Sequence, residues 1–395
     1  MAKSRQLKVT HIRTSHGLAG AERVILCLIQ TTQSKCVKKS VTLIGSDTGL
    51  NKDFLLELKS LNIETANFRL QGRYDIRGIR RLRRHLIDNE IDIIHCHDFK
   101  SNFYGLMASI GLPIGRVSTH HGSTKDDLLL RCYLNLNEYL FFHFFHRIVA
   151  VSHQLSTEPW ARILGSDRVA FIPNGIDTQF FKRSPNTFTD ESPILIPGGK
   201  TVIGIIGRLY PDKGHIDLFH AISGLQDEFP QLMVLVVGDG PQSHYLKNAC
   251  REMRIENRVI FAGVRKNMQA VYSLLDLFVM PSIREGLPMA LLEAMLAKIP
   301  VIASMVGGIP TLLENNRHGI GISPKSPKEL SAAIRQTLVN PDEAKLIANN
   351  AQEFIREKYS AQAMTRRTER LYIDILKKLR RNKSGHIENI DSWSC

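Results

Sequence analysis

Two series of short apolar segments, each alternating with longer helical stretches, limit the folds open to this chain more than any other feature. In the first half, residues 7–12, 40–44, 91–95, 117–119 and 147–151 read as strands, and residues 20–33 as a loop leading into a helix. The second series places strands at residues 201–206, 232–237, 259–261, 277–280, 301–303 and 319–322. Strands that alternate with helices favour a parallel, doubly wound sheet. Between the series lie the turn signal Asn174-Gly175 and a stretch rich in Pro, Ser and Thr that ends in Gly198-Gly199. A length of 395 residues suggests more than one core. The expected layout is a first Rossmann-like domain over 1–180, a linker over 181–200 and a second such domain over 201–358. A closing helix over 359–380 and a basic, polar tail over 381–395 follow.

Charge and cysteine usage narrow the setting. The chain carries 52 basic and 38 acidic side chains, a formal charge of +14. Much of the excess is local: Arg69, Arg73, Arg77, Arg80, Arg81, Arg83 and Arg84 lie close together, and Lys377, Lys378, Arg380, Arg381 and Lys383 form a second run. The first cluster falls partly on a helix whose apolar side is Ile76, Ile79, Leu82 and Leu86. Such a face is either solvated or drawn to an anionic membrane surface or a phosphorylated acceptor. Nucleic acid is not expected, because no nucleic-acid module accompanies the charge. Residues 133–151 are the most apolar long stretch, but polar side chains interrupt it, so it reads as a core helix rather than a membrane span. The six cysteines are scattered without CxxC or metal-like spacing, which favours free thiols in a reducing cytosol. With no apolar signal region at the start, the expected location is cytoplasmic, with the basic surface open to peripheral attachment at the membrane's cytoplasmic face.

Glu285 and Glu293 carry the densest chemical information. An apolar strand, 277–281, precedes them, and Pro288 suits the first turn of a helix. Glu285 then lies in the loop before that helix and Glu293 on it. The backbone N–H groups of Gly286, Leu287 and Met289 are the unpaired donors of a helix start. Amides beside two carboxylates suit a polyol phosphate: amides for phosphate, carboxylates for hydroxyls. After the strand 301–303, Val306-Gly-Gly-Ile-Pro-Thr311 repeats the pattern as a second glycine-rich helix entry. Ligands of open α/β sheets bind outside the carboxyl ends of such strands.

Other segments add charge and close backbone approach. Gly207-Arg-Leu-Tyr-Pro-Asp-Lys-Gly214 follows a strand and offers a guanidinium, Arg208, and an ammonium, Lys213, to balance a diphosphate. Val236-Val-Gly-Asp-Gly-Pro241 is a glycine turn after another strand. In the first half, Gly17-Leu-Ala-Gly-Ala-Glu-Arg23 follows the first strand, with Gly17 and Gly20 letting amides face a phosphate. Its spacing is not GxGxxG, which argues against a dinucleotide site. Histidines gather after first-half strands: His95 and His97 with Asp98, then His120 and His121. A metal site is conceivable there. The preferred reading is that one histidine of each pair offers a hydrogen bond to the cleft while the other packs.

The ordered set Gly-Arg-Leu…Lys-Gly, Gly-Asp-Gly-Pro, Pro-Ser…Glu-Gly-Leu-Pro, a second Glu eight residues after the first, and Val-Gly-Gly-Ile-Pro resembles the retaining GT-B glycosyltransferases of family 4. Gly20-Ala-Glu-Arg23, Thr119-His-His-Gly122, Val151-Ser152 and Pro173-Asn-Gly-Ile-Asp177 are similar to that family as well. One departure is Ala19, where the family usually has glycine. The resemblance implies two Rossmann-like domains facing a central cleft, with a C-terminal helix crossing back. It implies that Arg208 and Lys213 hold the donor diphosphate, that Glu285 contacts the donor sugar hydroxyls, and that the amides from Gly286 through Leu287 and Pro288 to Met289 contact sugar and phosphate. It further implies that Gly207 belongs to the donor loop, Glu293 binds ribose hydroxyls, Gly263 and Val264 line the base pocket, and His121 hydrogen-bonds the transferred sugar from the opposite domain. The expected activity is transfer of a hexose from a nucleoside diphosphate sugar to a hydroxyl of a glycan or lipid-linked acceptor, without metal or cofactor. The alternative is a non-catalytic nucleotide-sugar-binding scaffold, or a sugar epimerase, on the same fold.

Overall fold

The run Leu232–Val237, LMVLVV, is buried at every residue. An unbroken apolar strand of this kind belongs inside a parallel sheet covered on both faces. The computed structural model describes residues 5–14, 20–32, 36–45, 52–72, 74–121, 139–178, 194–265 and 267–384. The chain forms two compact units, one of residues 1–175 with 361–395 and one of residues 176–360.

The first unit holds strands β1 (Leu7–Arg13), β2 (Val37–Gly45), β3 (Thr65–Arg69), β4 (Ile93–Cys96), β5 (Gly115–His120), β6 (Arg147–Ala150) and β7 (Val169–Phe171). They form one sheet in the order β3-β2-β1-β4-β5-β6-β7, parallel throughout. One apolar cluster joins Ile12, Ile94, Leu82, Tyr104 and Phe142; another joins Ile25, Val41, Leu43 and Phe54. The sequence reading omits β3 and β7. Thr65–Arg69 is a half-exposed edge strand without an apolar run, and Val169–Phe171 is only three residues long.

The second unit holds β8 (Thr201–Ile206), β9 (Leu232–Val237), β10 (Val259–Gly263), β11 (Leu277–Met280), β12 (Val301–Ser304) and β13 (Ile320–Ile322). Their order is β10-β9-β8-β11-β12-β13, again parallel. Its core packs Ile203, Phe219, Val234, Val279, Ile302 and Ile334. In each sheet the strand order reverses beside the first strand of the unit, between β1 and β4 and between β8 and β11. Those reversals are the switch points where loops part and ligands enter.

Of the apolar stretch 133–151, residues 139–142 are helical and Arg147–Ala150 is β6, so within the described residues it is not one core helix. The helix Ile76–Asp88 starts at Asp75, whose side chain accepts the Gly78 N–H. Leu82 and Leu86 are buried as expected, but Ile76 is exposed, which narrows the apolar side. Cys27, Cys96 and Cys250 are free, whereas Cys36 is disulfide-bonded, against the expectation of free thiols throughout. No helix among the described residues is long and apolar enough to cross a membrane.

The last helix, Ala361–Ser384, belongs to the first unit although it follows the second in sequence. It is anchored by polar contacts with no solvent to weaken them. Lys39 Nζ meets Glu369 Oε1 at 2.8 Å, with the two side chains 1% and 7% exposed. Thr365 Oγ1 meets Thr31 Oγ1 at 2.7 Å, and Tyr372 Oη meets His95 Nδ1 at 2.6 Å. Burial pulls the Lys39 ammonium below its ordinary pKa, and Glu369 opposes that shift. Removing one member of such a pair strands a charge, typically at a cost of about 3–5 kcal/mol, while replacing both with apolar groups is close to neutral. Glu369→Ala should therefore lower the urea midpoint of the first unit strongly. Lys39→Met combined with Glu369→Leu should restore most of it, and equal loss in both variants would refute the buried-pair account.

Candidate active site

The carboxyl ends of β8, β11 and β12 lead into three loops that lie backbone against backbone. Gly214 has φ +70°, and a Cβ there would overlap the Pro281 carbonyl oxygen. Gly307 has φ +60°, and a Cβ there would overlap the Glu285 carbonyl oxygen. Only glycine tolerates both the positive φ and the contact. Hydrogen bonds complete the joint: Ile283 N–H donates to Asp212 O at 2.8 Å, and Gly308 N–H to Gly286 O at 2.6 Å.

Lys213 and Glu285, 72 positions apart in sequence, meet in this frame with Nζ 2.6 Å from Oε1. Ser282 Oγ donates to the same carboxylate oxygen at 2.8 Å. The Lys213 and Glu285 side chains are 15% and 9% exposed, so solvent screens the pair only partly. Arg208 is exposed on the same loop as Lys213, with its guanidinium carbon 4.7 Å from the Tyr210 ring centre. Gly207 opens this loop, its N–H donating to Val237 O.

Gly286, Leu287 and Pro288 form the turn before the helix Met289–Leu296. Pro288 is the residue just before the first helical turn, one position earlier than the sequence suggested. Glu293 lies on this helix, 3% exposed, and its Oε2 accepts from Tyr272 Oη at 2.9 Å. Tyr272 was not singled out in the sequence, because a tyrosine at helical spacing reads as core. Gly263 ends β10 with φ +69°, its carbonyl accepting the Gly238 N–H, and Val264 beyond it is 73% exposed.

In the first unit the corresponding loops bring different chemistry. Gly17 lies outside the described residues; Gly20 opens the helix Gly20–Gln30. Arg13, at the end of β1, pairs with buried Glu22 at 2.9 Å and donates to the His97 carbonyl oxygen at 2.8 Å. Asp98 accepts the Thr14 N–H at 2.8 Å and caps the helix Phe99–Ser109. Arg13 ties the ends of β1 and β4 together, a role invisible without the strand order.

Four histidines converge beside it. Register pairs His11 of β1 with His95 of β4. His11 Nδ1 lies 2.9 Å from His97 Nε2, and His97 Nδ1 lies 3.3 Å from His121 Nε2. His95 stacks on His97 at 4.3 Å and uses both ring nitrogens, one on Tyr372 and the other on Thr119 Oγ1 at 2.6 Å. His120 faces the other way, among Tyr139, Phe142 and Trp160. His120 and His121 therefore lie on opposite faces, with His120 packed among aromatic rings. The pair 95/97 does not, since residues two apart on a strand share a face, and both are buried. His11, His95 and His97 offer nitrogens spaced closely enough for a metal ion. Those of His95 are already committed to hydroxyl partners, and Lys39 and Arg13 lend the surroundings positive charge.

The family of glycosyl transferases group 1 matches residues 186–354, and glycosyltransferase family 4 matches residues 18–180. This chain belongs to the GT-B glycosyltransferases of group 1 and family 4. Among relatives of this glycosyltransferase, the UDP-Gal:alpha-D-GlcNAc-diphosphoundecaprenol alpha-1,3-galactosyltransferase of Escherichia coli is 27% identical, over 80% of this chain and 83% of its own. The N-acetyl-alpha-D-glucosaminyl L-malate synthase of Bacillus anthracis is 26% identical, over 75% and 77%. The fold matches that of HepE from Anabaena in complex with UDP-glucose, with a TM-score of 0.77 at 22% identity, covering 93% of this chain and 99% of that one.

His215, directly after Gly214, gives the loop that carries Lys213 a pH signature. It is 2% exposed, both ring nitrogens lack a partner, and burial, then Lys213, lowers its pKa to about 4. Its unfolded value is about 6.5, so from there down to about pH 4 the unfolded chain takes up a proton that the native state refuses. Stability contributed by neutral His215 is complete above about pH 6.5 and declines by up to ~1.4 kcal/mol per pH unit as the pH falls towards 4. Denaturation measured at several pH values should show a shallower acid slope for His215→Phe than for the parent. Identical slopes would refute the assignment.

Proposed function

We propose that this glycosyltransferase is a retaining, metal-independent hexosyltransferase of class EC 2.4. On this reading it moves a hexose from a nucleoside diphosphate sugar to a hydroxyl of a glycan or lipid-linked acceptor in cell-surface polysaccharide or glycolipid synthesis. The observation that carries the reading is the Lys213–Glu285 contact at 2.6 Å on a glycine-locked frame at the carboxyl edge of the second sheet. An ammonium held by one loop and a carboxylate held by the next suit a ligand with phosphate at one end and hydroxyls at the other.

The roles follow from charge. Arg208 and Lys213 balance the diphosphate as it leaves, which makes a metal unnecessary for that purpose. Glu285 accepts from sugar hydroxyls, and Gly207 and the turn from Gly286 to Met289 bring backbone close to sugar and phosphate. Glu293, oriented by Tyr272, reads the ribose, and Gly263 and Val264 border the base. Gly17 and Gly20 bring amides of the first unit to the donor phosphate, and His121 of the first unit hydrogen-bonds the sugar. Glu285 is not assigned as a nucleophile, because its Oε1 is engaged by both Lys213 and Ser282. Retention is instead attributed to front-face attack, with the departing phosphate taking the acceptor proton. The names of the Escherichia coli relative and of the HepE complex support a UDP-sugar as the first donor to try.

Lys213→Ala tests the reading. Losing one positioned donor to a developing anion typically costs about 10²–10³-fold in turnover. Transfer should fall by at least that while the variant remains folded by circular dichroism, with the parent product retaining the donor's anomeric configuration by NMR. Near-parental transfer would overturn the role of Lys213, an inverted product would overturn retention, and donor turnover that needs no acceptor would favour the epimerase reading.

We further infer that the acceptor side meets an anionic membrane surface. Arg77, Arg80, Arg81 and Arg84 are exposed on the helix Ile76–Asp88, and Tyr74, Ile76, Ile87 and Ile110 nearby are more than half exposed. Cations beside exposed apolar groups suit such an interface, each worth about 1 kcal/mol near an anionic leaflet. Co-sedimentation with phosphatidylglycerol vesicles, but not with phosphatidylcholine vesicles, is expected. Binding should drop when Arg77, Arg80 and Arg84 are changed to Gln, and equal binding to both vesicle types would refute it.

A further inference from the structure

The buried histidine row of the first unit does more than pack. His11 and His97 are 0% and 2% exposed, and His97 has a histidine nitrogen on each side, His11 Nδ1 at 2.9 Å and His121 Nε2 at 3.3 Å. The three rings lie nearly parallel, with interplanar angles of 29° and 26°. His11 Nε2, at the far end, is buried without a hydrogen-bond partner. Burial, the largest cause, lowers the pKa of His11 to about 3 and holds those of His97 and His121 well below the ordinary value, so all three rings are neutral.

A neutral imidazole carries one N–H, and its other nitrogen accepts. Three such rings hydrogen-bonded in a row have only two self-consistent arrangements. In one, the protons point inward: His121 Nε2–H donates to His97, His97 Nε2–H donates to His11, and His11 Nε2–H is left buried with no acceptor. In the other they point outward: His11 Nδ1–H donates to His97 Nε2, His97 Nδ1–H donates to His121 Nε2, and His121 carries its proton on Nδ1. The second arrangement leaves only a lone pair at the buried end. Orphaned buried N–H groups are rarer in proteins than under-used acceptors, so the outward arrangement prevails.

We propose that His11 and His97 are positioning residues that lock His121 as the Nδ1–H tautomer, so that it meets its ligand as a neutral hydrogen-bond donor. This rests on the reading above that His121 contacts the sugar, whose hydroxyl oxygen would be the acceptor. The hydroxyls of Tyr372 and Thr119 hold His95 against the face of His97 and keep its nitrogens out of the row. Tautomer choice through the opposite nitrogen is a general device for imidazoles.

The test is the ¹⁵N–¹H two-bond correlation spectrum of the full chain with ¹⁵N-labelled histidine, without ligand, at neutral pH. His121 is assigned by the pattern missing from His121→Asn. The expected pattern is Nδ1 protonated and Nε2 bare. His97→Asn, which keeps an N–H near the Nδ1 position, should preserve it. His97→Gln and His11→Leu should each replace it with exchange-averaged nitrogens. A parent spectrum with His121 protonated at Nε2, averaged or doubly protonated would overturn the proposal. So would an unchanged pattern in His97→Gln, or stoichiometric zinc that engages His11 and His97. Because no donor is present, the result is independent of the sugar-contact reading. That reading fails separately if His121→Leu, which carries no N–H, transfers at the parental rate while the parent's tautomer pattern stands.

Discussion

Backbone-to-backbone contact between neighbouring loops is the constraint on which the second unit's chemistry depends. A lysine and a glutamate far apart in sequence hold a short ion pair only if their loops cannot drift. Gly214 against Pro281 and Gly307 against Glu285 remove that freedom, because no side chain stands between the strands' exit loops. The frame is set by the fold rather than by the charges it presents. A charged pair on mobile loops would lose to water much of the attraction it keeps at 15% and 9% exposure.

The two units use one architecture for unlike purposes. Both reverse strand order beside their first strand, and both open loops there. The second unit fills those loops with charge: an arginine, a lysine and a carboxylate. The first fills them with neutral imidazoles, and its nearby charges, Arg13, Glu22 and Asp98, largely satisfy one another. On the proposed function, the charged loops suit an anion and the neutral ones a polyol whose hydroxyls demand directional, uncharged partners.

The fold was legible wherever a run of apolar residues filled a strand. LMVLVV and the strands before each glycine turn announce buried parallel strands by composition alone. Thr65–Arg69 and Val169–Phe171 do not, because an edge strand needs little apolar surface and three residues carry no period. The second unit's candidate residues were readable because they fall in one ordered set of short motifs. His11, Arg13 and Tyr272 were not, since their roles arise from strand order and register, which join β1 to β4 and bring Tyr272 under Glu293. Ile76 shows the opposite error: helical spacing placed it on the apolar side, but among the described residues it stands 65% exposed at that end of the helix.

The closing helix Ala361–Ser384 makes the first unit discontinuous in sequence. A ribosome releases residues 1–175 and then all of the second unit before Glu369, Thr365 and Tyr372 appear. Until then Lys39 has no carboxylate partner, and the His95 nitrogen that meets Tyr372 has no hydroxyl. Domains generally fold as they emerge, N-terminal first, yet here the earliest-made unit is the last to be completed. A chain still short of its last helix therefore has the whole second unit but an incomplete first one, with Lys39 and His95 still awaiting Glu369 and Tyr372.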